Sequence, residues 1–236
     1  MPSPTGWLLL GLLALPFHQG EHLEFSVRFG VVPAGRLTLQ VTRQEVRPGG
    51  DTLLEFRMEA RTRGLFNALF RVHDRIRSQV VVPPFASVLY EKHLEEGRYR
   101  AHRRIVYDPK RQVAVYENGD TLPTPPGALD PLALYYYLRT VPLRAGDTLR
   151  VPYHVDREST WLRIYVERRD RVPGPEGPAP AWVLTSDLKA SGILKGGGDF
   201  VLWLSDDGRR LPLRIETSLS FGTMVATLQR VEEGRP

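Results

Sequence analysis

Histidine side chains are the groups in this sequence that could most directly ligate a metal ion or transfer protons. The six histidines are His18, His22, His73, His93, His102 and His154. None forms the H-x-H or H-E-x-x-H spacing that brings two imidazoles together on one strand or helix. Cysteine is absent, which excludes thiolate ligands, disulfides and a thiol nucleophile. The spacing therefore predicts solvent-exposed histidines, with no metal site and no cofactor.

The acidic pair Asp206-Asp207, followed by Gly208, has the residue types of a general acid–base pair or a calcium ligand set. A stretch of alternating apolar residues follows directly, which is typical of a hairpin turn between two strands. No G-x-S-x-G motif supplies an activated serine. We therefore predict a turn, name no catalytic residue and favour a non-enzymatic protein, with enzymatic activity left open.

An arginine-rich stretch is the strongest electrostatic feature of the chain. Arg98, Arg100, His102 and Arg104 share one face of a predicted strand, because side chains alternate with a period of two. Two interpretations stay open for this face. It is either a solvated surface paired with glutamates of the preceding strand or an anion-binding stripe formed by the three arginines.

One helix must be positioned among many strands, and it spans Asp130 to Arg139. Asp130 is expected to be the N-cap and Pro131 the first helical residue. Leu134, Tyr137 and Leu138 would form one apolar stripe. The tyrosines of this helix either pack on a core or form the aromatic edge of a ligand groove.

Most of the chain alternates apolar and polar residues in short runs, as half-buried strands do. The pattern predicts a mainly β fold of roughly a dozen strands, forming a curved antiparallel sheet or incomplete β-barrel capped by the short helix. The segment Gly64–Phe70 interrupts the alternation and predicts a helical turn or an apolar crossover. The run from Pro173 to Pro180 predicts a flexible loop. Phe200–Leu204 is continuously apolar and predicts a central strand.

The aromatic residues of the helix, the interrupting segment and the central strand are the candidates for binding an apolar ligand. They are Tyr135, Tyr136, Tyr137, Phe66, Phe70 and Trp203.

Composition limits the class of partner. The formal net charge is +5, but the arginines are spread along nearly every predicted strand and interleaved with acids. This distribution argues against nucleic-acid binding and leaves attraction to an anionic surface open.

The N-terminus carries an apolar run, Trp7–Leu15, of the length of a signal-peptide core. We predict a signal peptide over residues 1–20 and a single all-β domain over residues 21–236. No other apolar run approaches the length of a membrane span, so no transmembrane segment is expected in the mature chain.

Four segments in order resemble a known family: Val31–Gly35, Gly64–Asp74, Asp130–Arg139 and Phe200–Pro212. Their order and spacing resemble the bacterial exported family catalogued as domain of unknown function 3108, over nearly the whole mature chain. The resemblance implies an exported, mostly antiparallel β protein. It implies no established activity and supplies no catalytic residues.

These observations together favour a non-enzymatic protein of the periplasm or cell envelope. It would bind a lipid or acylated molecule between sheet and helix, or act as a scaffold. One alternative is a glycan-binding or glycan-active protein that uses Asp206, Asp207, Glu91 and the stretch Arg98–Arg104. Another is an envelope assembly in which Tyr135 and Tyr136 contact a protein partner.

Overall fold

The computed structural model describes residues 15–186, 200–219 and 222–235. These residues form two helices and a 14-stranded antiparallel sheet. The helices are α1 (Gly64–Leu69) and α2 (Pro131–Thr140). The strands are β1 (His22–Phe29), β2 (Val32–Val46), β3 (Thr52–Thr62), β4 (His73–Val82), β5 (Ala86–Glu96), β6 (Tyr99–Asp108), β7 (Val113–Tyr116), β8 (Thr121–Pro123), β9 (Thr148–Val155), β10 (Glu158–Gly174), β11 (Gly177–Ser186), β12 (Phe200–Ser205), β13 (Pro212–Leu219) and β14 (Gly222–Glu232).

The strands follow one another as a continuous meander in the order β8-β7-β6-β5-β4-β3-β2-β1-β14-β13-β12-β11-β10-β9. The first and last strands pair in the middle of the sheet, where Leu23 lies opposite Val231. The edges are β8 and β9, so the sheet is not closed by strand pairing. The mainly β fold, the antiparallel curved sheet and the helix associated with it are confirmed.

Side chains span the gap between the two edges. The Tyr116 hydroxyl hydrogen-bonds to His154 Nε2 at 2.7 Å, and the Tyr107 hydroxyl donates to the His154 carbonyl at 2.9 Å. The buried Lys92 pairs with Asp156 at 2.7 Å. These contacts join strands β5–β7 to β9 and the turn after it, so the sheet curls into an incomplete barrel.

Helix α2 lies inside this curl. Its side chains contact β3 and β4 in one half of the sheet and β9 and β12 in the other. Only a sheet that wraps around the helix can place strands so far apart in the strand order against one element. Leu132, Ala133 and Leu138 are buried there, within a hydrophobic cluster that includes residues of most strands.

The prediction of a flexible loop from Pro173 to Pro180 is wrong, because most of these residues belong to paired strands. Here β10 and β11 form a long hairpin with Pro173 opposite Pro178 and Gly174 opposite Gly177. Strand β12 pairs with β11 only from Ala181 onward, so the proline-containing part is a two-stranded extension. Prolines are tolerated there because β12 does not pair with this part of β11, so the missing N–H groups leave no carbonyl of a third strand unpaired.

The predicted leader lies largely outside the described residues, which begin at Leu15. The few leader residues within them are part of the fold. Phe17 is 1% exposed and packs edge-on against Phe56 and Tyr136. Among the described residues, no helix is both long and apolar enough to cross a membrane.

Candidate functional site

The three tyrosines of α2 are packing residues. Tyr136 is 1% exposed and stacks on Phe56 of β3, with ring centroids 3.7 Å apart. Tyr135 meets Phe200 edge-on at 5.6 Å, and Tyr137 meets Phe85 at the same distance. The stacking leaves no room for a ligand between Tyr136 and the sheet. These contacts support the packing interpretation over a groove at this position.

Asp130 fixes the N-terminus of α2 to the sheet. One carboxylate oxygen accepts from the backbone N–H groups of Leu132 and Ala133 at 2.9 Å, which confirms the predicted N-cap. The other accepts from the hydroxyls of Ser78 on β4, at 2.7 Å, and Ser87 on β5, at 2.6 Å. Burial raises the pKa of Asp130 to about 6, and the four hydrogen bonds oppose a larger rise.

Arg139 fixes the other end of α2. Its guanidinium donates to both carboxylate oxygens of Glu21, at 2.6 and 2.8 Å, and both residues are buried. It also donates to the carbonyls of Pro16 and Arg209. A buried bidentate pair of this kind fixes orientation, because removal of one partner leaves an uncompensated charge. The helix is therefore a fixed part of the interior.

Trp203 is buried in the hydrophobic cluster, but on the other face of β12 from Phe200, the residue that contacts Tyr135 of α2. Side chains alternate along a strand, so Trp203 points away from the face that carries Phe200, Leu202 and Leu204. Its indole N–H donates to Asp170 at 3.3 Å, and the guanidinium of Arg214 lies 5.2 Å from its ring centroid. Trp203 and the helix tyrosines therefore cannot line one pocket.

Among the described residues, most of the exposed large apolar side chains gather where the β1–β2 turn, α1 and the β5–β6 turn meet, whereas Val46, Val106 and Trp161 lie elsewhere. We call this surface the apolar end, formed by Val31, Leu65, Leu69, Phe70 and Tyr99. Their exposed fractions are 81%, 70%, 74%, 52% and 51%. A group of large apolar side chains left this open marks a contact surface.

Backbone contacts hold these three segments together. The N–H of Arg63, which precedes α1, donates to Ala34 at 2.9 Å, and the N–H of Gly97 donates to Arg71 at 2.7 Å. Phe66 packs against Phe29 of β1 at 6.0 Å. Gly97 has φ +56°, and a Cβ there would lie 2.7 Å from the Phe70 ring. Glycine at this turn is therefore required for Phe70 to lie across it.

Arginines surround the apolar end. Arg63, Arg71 and Arg98 are exposed, and their side chains form no hydrogen bond or ion pair within the described part of the chain. Arg28 and Arg100 donate to the turn carbonyls of Val31 and Gly97, at 2.8 and 2.9 Å. Within the described part of the chain, Arg100 alone of these five arginines lies near a carboxylate, that of Glu95 at 3.9 Å, so the apolar surface is bordered mainly by cations without an acidic partner.

The three arginines of the stripe predicted on β6 lie in two different environments. Arg98 belongs to the border of the apolar end. Arg100 lies 3.9 Å from Glu95, and Arg104 pairs in register with Glu91 on β5. The glutamates opposite Arg100 and Arg104 on β5 support a solvated face with neighbouring opposite charges, and Arg104 is exposed. Of the three arginines in the predicted stripe, Arg98 and Arg104 form no side-chain hydrogen bond or ion pair within the described part of the chain.

Strands β5 and β6 bring together residues that are distant in sequence. His93 lies opposite His102, and Glu91 shares their face. The Glu91 carboxylate is 3.1 Å from His102 Nε2 and 3.8 Å from His93 Nε2. No spacing motif in the sequence links the two histidines, so neither was expected beside the other. The two-residue turn between β5 and β6 was the signal that could have paired them.

Asp206 and Asp207 accept hydrogen bonds that stabilise the β12–β13 turn. Asp207 accepts from the Ser205 hydroxyl at 2.6 Å and from the backbone N–H groups of Arg209 and Arg210 at 3.1 Å. Asp206 accepts from the Trp182 indole at 2.6 Å. Burial raises the pKa of Asp207, but the hydrogen bonds from Ser205, Arg209 and Arg210 and the charge of Arg209 lower it by more, so the net shift of its pKa is downward. The arrangement supports a structural turn and not an acid–base pair.

The pattern of one protein family matches residues 24–229, the family described as protein of unknown function DUF3108. The chain belongs to the DUF3108 family. The resemblance seen in the order of its motifs is thereby confirmed. No curated protein matches the chain.

One solved structure shares the architecture of this DUF3108 protein. A β-barrel-like protein of domain DUF1849 from Brucella abortus aligns with TM-score 0.57 and 10% identity, over 92% of this chain and 98% of that one. The hypothetical protein CT021 from Chlamydia trachomatis aligns with TM-score 0.40 and 8% identity, over 91% and 88%. At such identities the first of these likenesses establishes the fold alone.

Proposed function

We propose that this DUF3108 protein is an exported, non-enzymatic protein of the cell envelope that docks on an anionic lipid surface through its apolar end. The observation that carries the proposal is the pairing of exposed Leu65, Leu69 and Phe70 with unpaired arginines around them. The apolar side chains would be buried among acyl chains, and the guanidinium groups would pair with anionic headgroups. The proposed lipid contact is therefore on the outer surface of the molecule and not between sheet and helix, where the sequence led us to expect it.

The apolar side chains and the arginines would contribute comparable free energies of binding to the lipid surface. Burial of an exposed leucine or phenylalanine stabilises a complex by roughly 1.5 to 3 kcal/mol. A basic side chain near an anionic leaflet contributes about 1 kcal/mol. Leu65 and Leu69 with Arg63, Arg71 and Arg98 would therefore give reversible binding that needs both contributions.

Vesicle sedimentation tests the proposal. The protein should sediment with vesicles of phosphatidylcholine mixed with phosphatidylglycerol and remain in solution with phosphatidylcholine alone. The triple variant Arg63→Gln/Arg71→Gln/Arg98→Gln should bind roughly a hundredfold more weakly, since about 1 kcal/mol is lost for each arginine. The variant Leu65→Ser/Leu69→Ser should lose binding while keeping the unfolding transition, because both leucines are exposed.

Matched controls lie at the opposite end of the strands. Lys110→Gln/Arg111→Gln/Arg144→Gln removes the same charge from turns at that end, and Val46→Ser removes a side chain that is 74% exposed. Neither control should change sedimentation. Absence of binding to the anionic vesicles, or an equal loss in the controls, would overturn the proposal. Binding to a purified envelope protein without binding to vesicles would assign the surface to a protein partner instead.

A further inference from the structure

The outer face of β5 and β6 carries a cluster with metal-ligand chemistry that is separate from the apolar surface. The antiparallel register sets His93 opposite His102, and the two-residue period of β5 puts Glu91 on the same face. The imidazole rings are stacked, with centroids 4.1 Å apart and planes at 21°. Two imidazoles and one carboxylate are a ligand set that zinc and related ions prefer.

The ligand atoms are close to the spacing that a metal requires. One atom from each of Glu91, His93 and His102 lies within 4.8 Å of the others. In tetrahedral zinc sites, ligands at about 2.0 Å from the ion are roughly 3.3 Å apart. The observed separations of Glu91 Oε1, 3.1 Å to His102 and 3.8 Å to His93, bracket that value. Because the two imidazole rings are stacked, they must rotate out of their present planes before both Nε2 lone pairs point at one ion, and that rotation would complete three of four tetrahedral positions.

A second carboxylate orients one of the histidines. Glu117 Oε1 lies 3.3 Å from His102 Nδ1, on the side of the ring opposite Glu91. A hydrogen bond from Nδ1 to this carboxylate leaves Nε2 free to accept a metal ion. Carboxylate–histidine–metal arrangements of this type recur in zinc proteins, where the outer carboxylate strengthens the ligand.

Neighbouring arginines do not occupy the ligand atoms. Arg77 is 3.8 Å from Oε2 of Glu91, so Oε1 remains directed at the histidines. Arg75, opposite His93, donates to Glu95 at 3.1 Å. Arg104, opposite Glu91, is exposed. The positive charges reduce the affinity for a cation without blocking the site.

We propose that Glu91, His93 and His102 bind one divalent transition-metal ion, with Glu117 holding His102 in the binding tautomer. The side chains of His93 and His102 are 46% and 45% exposed, so the fourth position is open to water or to an external ligand. The inference does not depend on lipid docking, since none of these residues belongs to the apolar end.

Calorimetric titration of the untagged full chain with ZnCl₂ tests the site. One ion should bind per chain. His93→Gln and His102→Gln should each weaken binding by at least about tenfold, and Glu117→Gln by about tenfold, as for other outer carboxylates. With Cu²⁺, the electron paramagnetic resonance spectrum should show nitrogen coupling that is reduced in either histidine variant.

His22→Gln is the matched control, because His22 is a half-buried histidine on β1 with Glu232 at 3.9 Å and no second imidazole in its group. It should bind zinc as the native chain does. Each variant is checked by its thermal unfolding transition in the absence of metal. No saturable binding, or binding that the His93 and His102 variants leave within twofold of native, would overturn the proposal.

Discussion

At the scale of single residues, environment assigns opposite roles to side chains of the same type. Asp207 is held ionised by hydrogen bonds in a turn, whereas burial raises the pKa of Asp130 to about 6. His154 is enclosed between Tyr116 and Ser159, while His93 is open to solvent. Residue type alone therefore does not separate structural groups from groups available to ligands.

Asp130 should make stability depend on pH in a defined direction. Its folded-state pKa, about 6, exceeds the ordinary 3.8, so the folded state binds the proton more tightly. The resulting stabilisation is full below 3.8 and is lost as pH rises through 6. Asp130→Asn keeps a capping oxygen and removes the titration. We expect the free energy of unfolding of the native chain, minus that of the variant, to increase by about 1 kcal/mol from pH 7 to pH 5.

Urea unfolding of both proteins at the two pH values measures this difference. Burial lowers the pKa of His154, which has the opposite effect on stability over this range. That contribution is common to both proteins and cancels in the difference. A difference that stays constant with pH would contradict the titration of Asp130.

At the scale of elements, the helices were predictable and the N-terminal boundary of the fold was less so. The Asp130-Pro131 start of α2 and the interruption at Gly64–Phe70 correspond to α2 and α1. The segment before β1 belongs to the core: Gly20 donates to Val41 at 2.8 Å, and Phe17 lies under Arg139 at 5.0 Å. We propose that any cleavage of a leader falls before Phe17 and not after residue 20.

Truncation tests that boundary. A chain starting at Glu21 lacks Phe17 and should be less stable than a chain starting at Leu15 by roughly 3 to 5 kcal/mol, the usual effect of removing a buried phenylalanine. Chemical unfolding of both chains measures the loss. Phe17→Ala in the longer chain should reproduce most of it. Equal stability of the two truncated chains would show that this segment contributes nothing.

At the scale of the whole molecule, the meander sorts turns onto two ends. The β1–β2, β3–β4 and β5–β6 connections share one end because successive antiparallel strands reverse direction. That end carries the exposed leucines of α1 and the unpaired arginines, and the interior is filled by α2. A docked molecule should therefore stand on its apolar end, with its strands directed away from the lipid surface.

The cysteine-free sequence allows this orientation to be measured. Leu69→Cys and Val46→Cys place single thiols at opposite ends, on side chains that are both 74% exposed. A polarity-sensitive fluorophore at residue 69 should shift its emission to shorter wavelength on anionic vesicles. The same fluorophore at residue 46 should not shift. Equal shifts at both positions would contradict docking by one end.

The sequence by itself determined the mainly β class, the helix with its cap and the absence of cysteine chemistry, because periodicity and capping are local. It also contained the β5–β6 turn from which the facing of His93 and His102 could be worked out. The tertiary structure alone decided that Tyr136 stacks on Phe56 and that Trp203 faces away from α2. It also joined Leu69 and Arg98 at one end. These relations depend on how the sheet curls and on register summed over many strands, which no local pattern specifies.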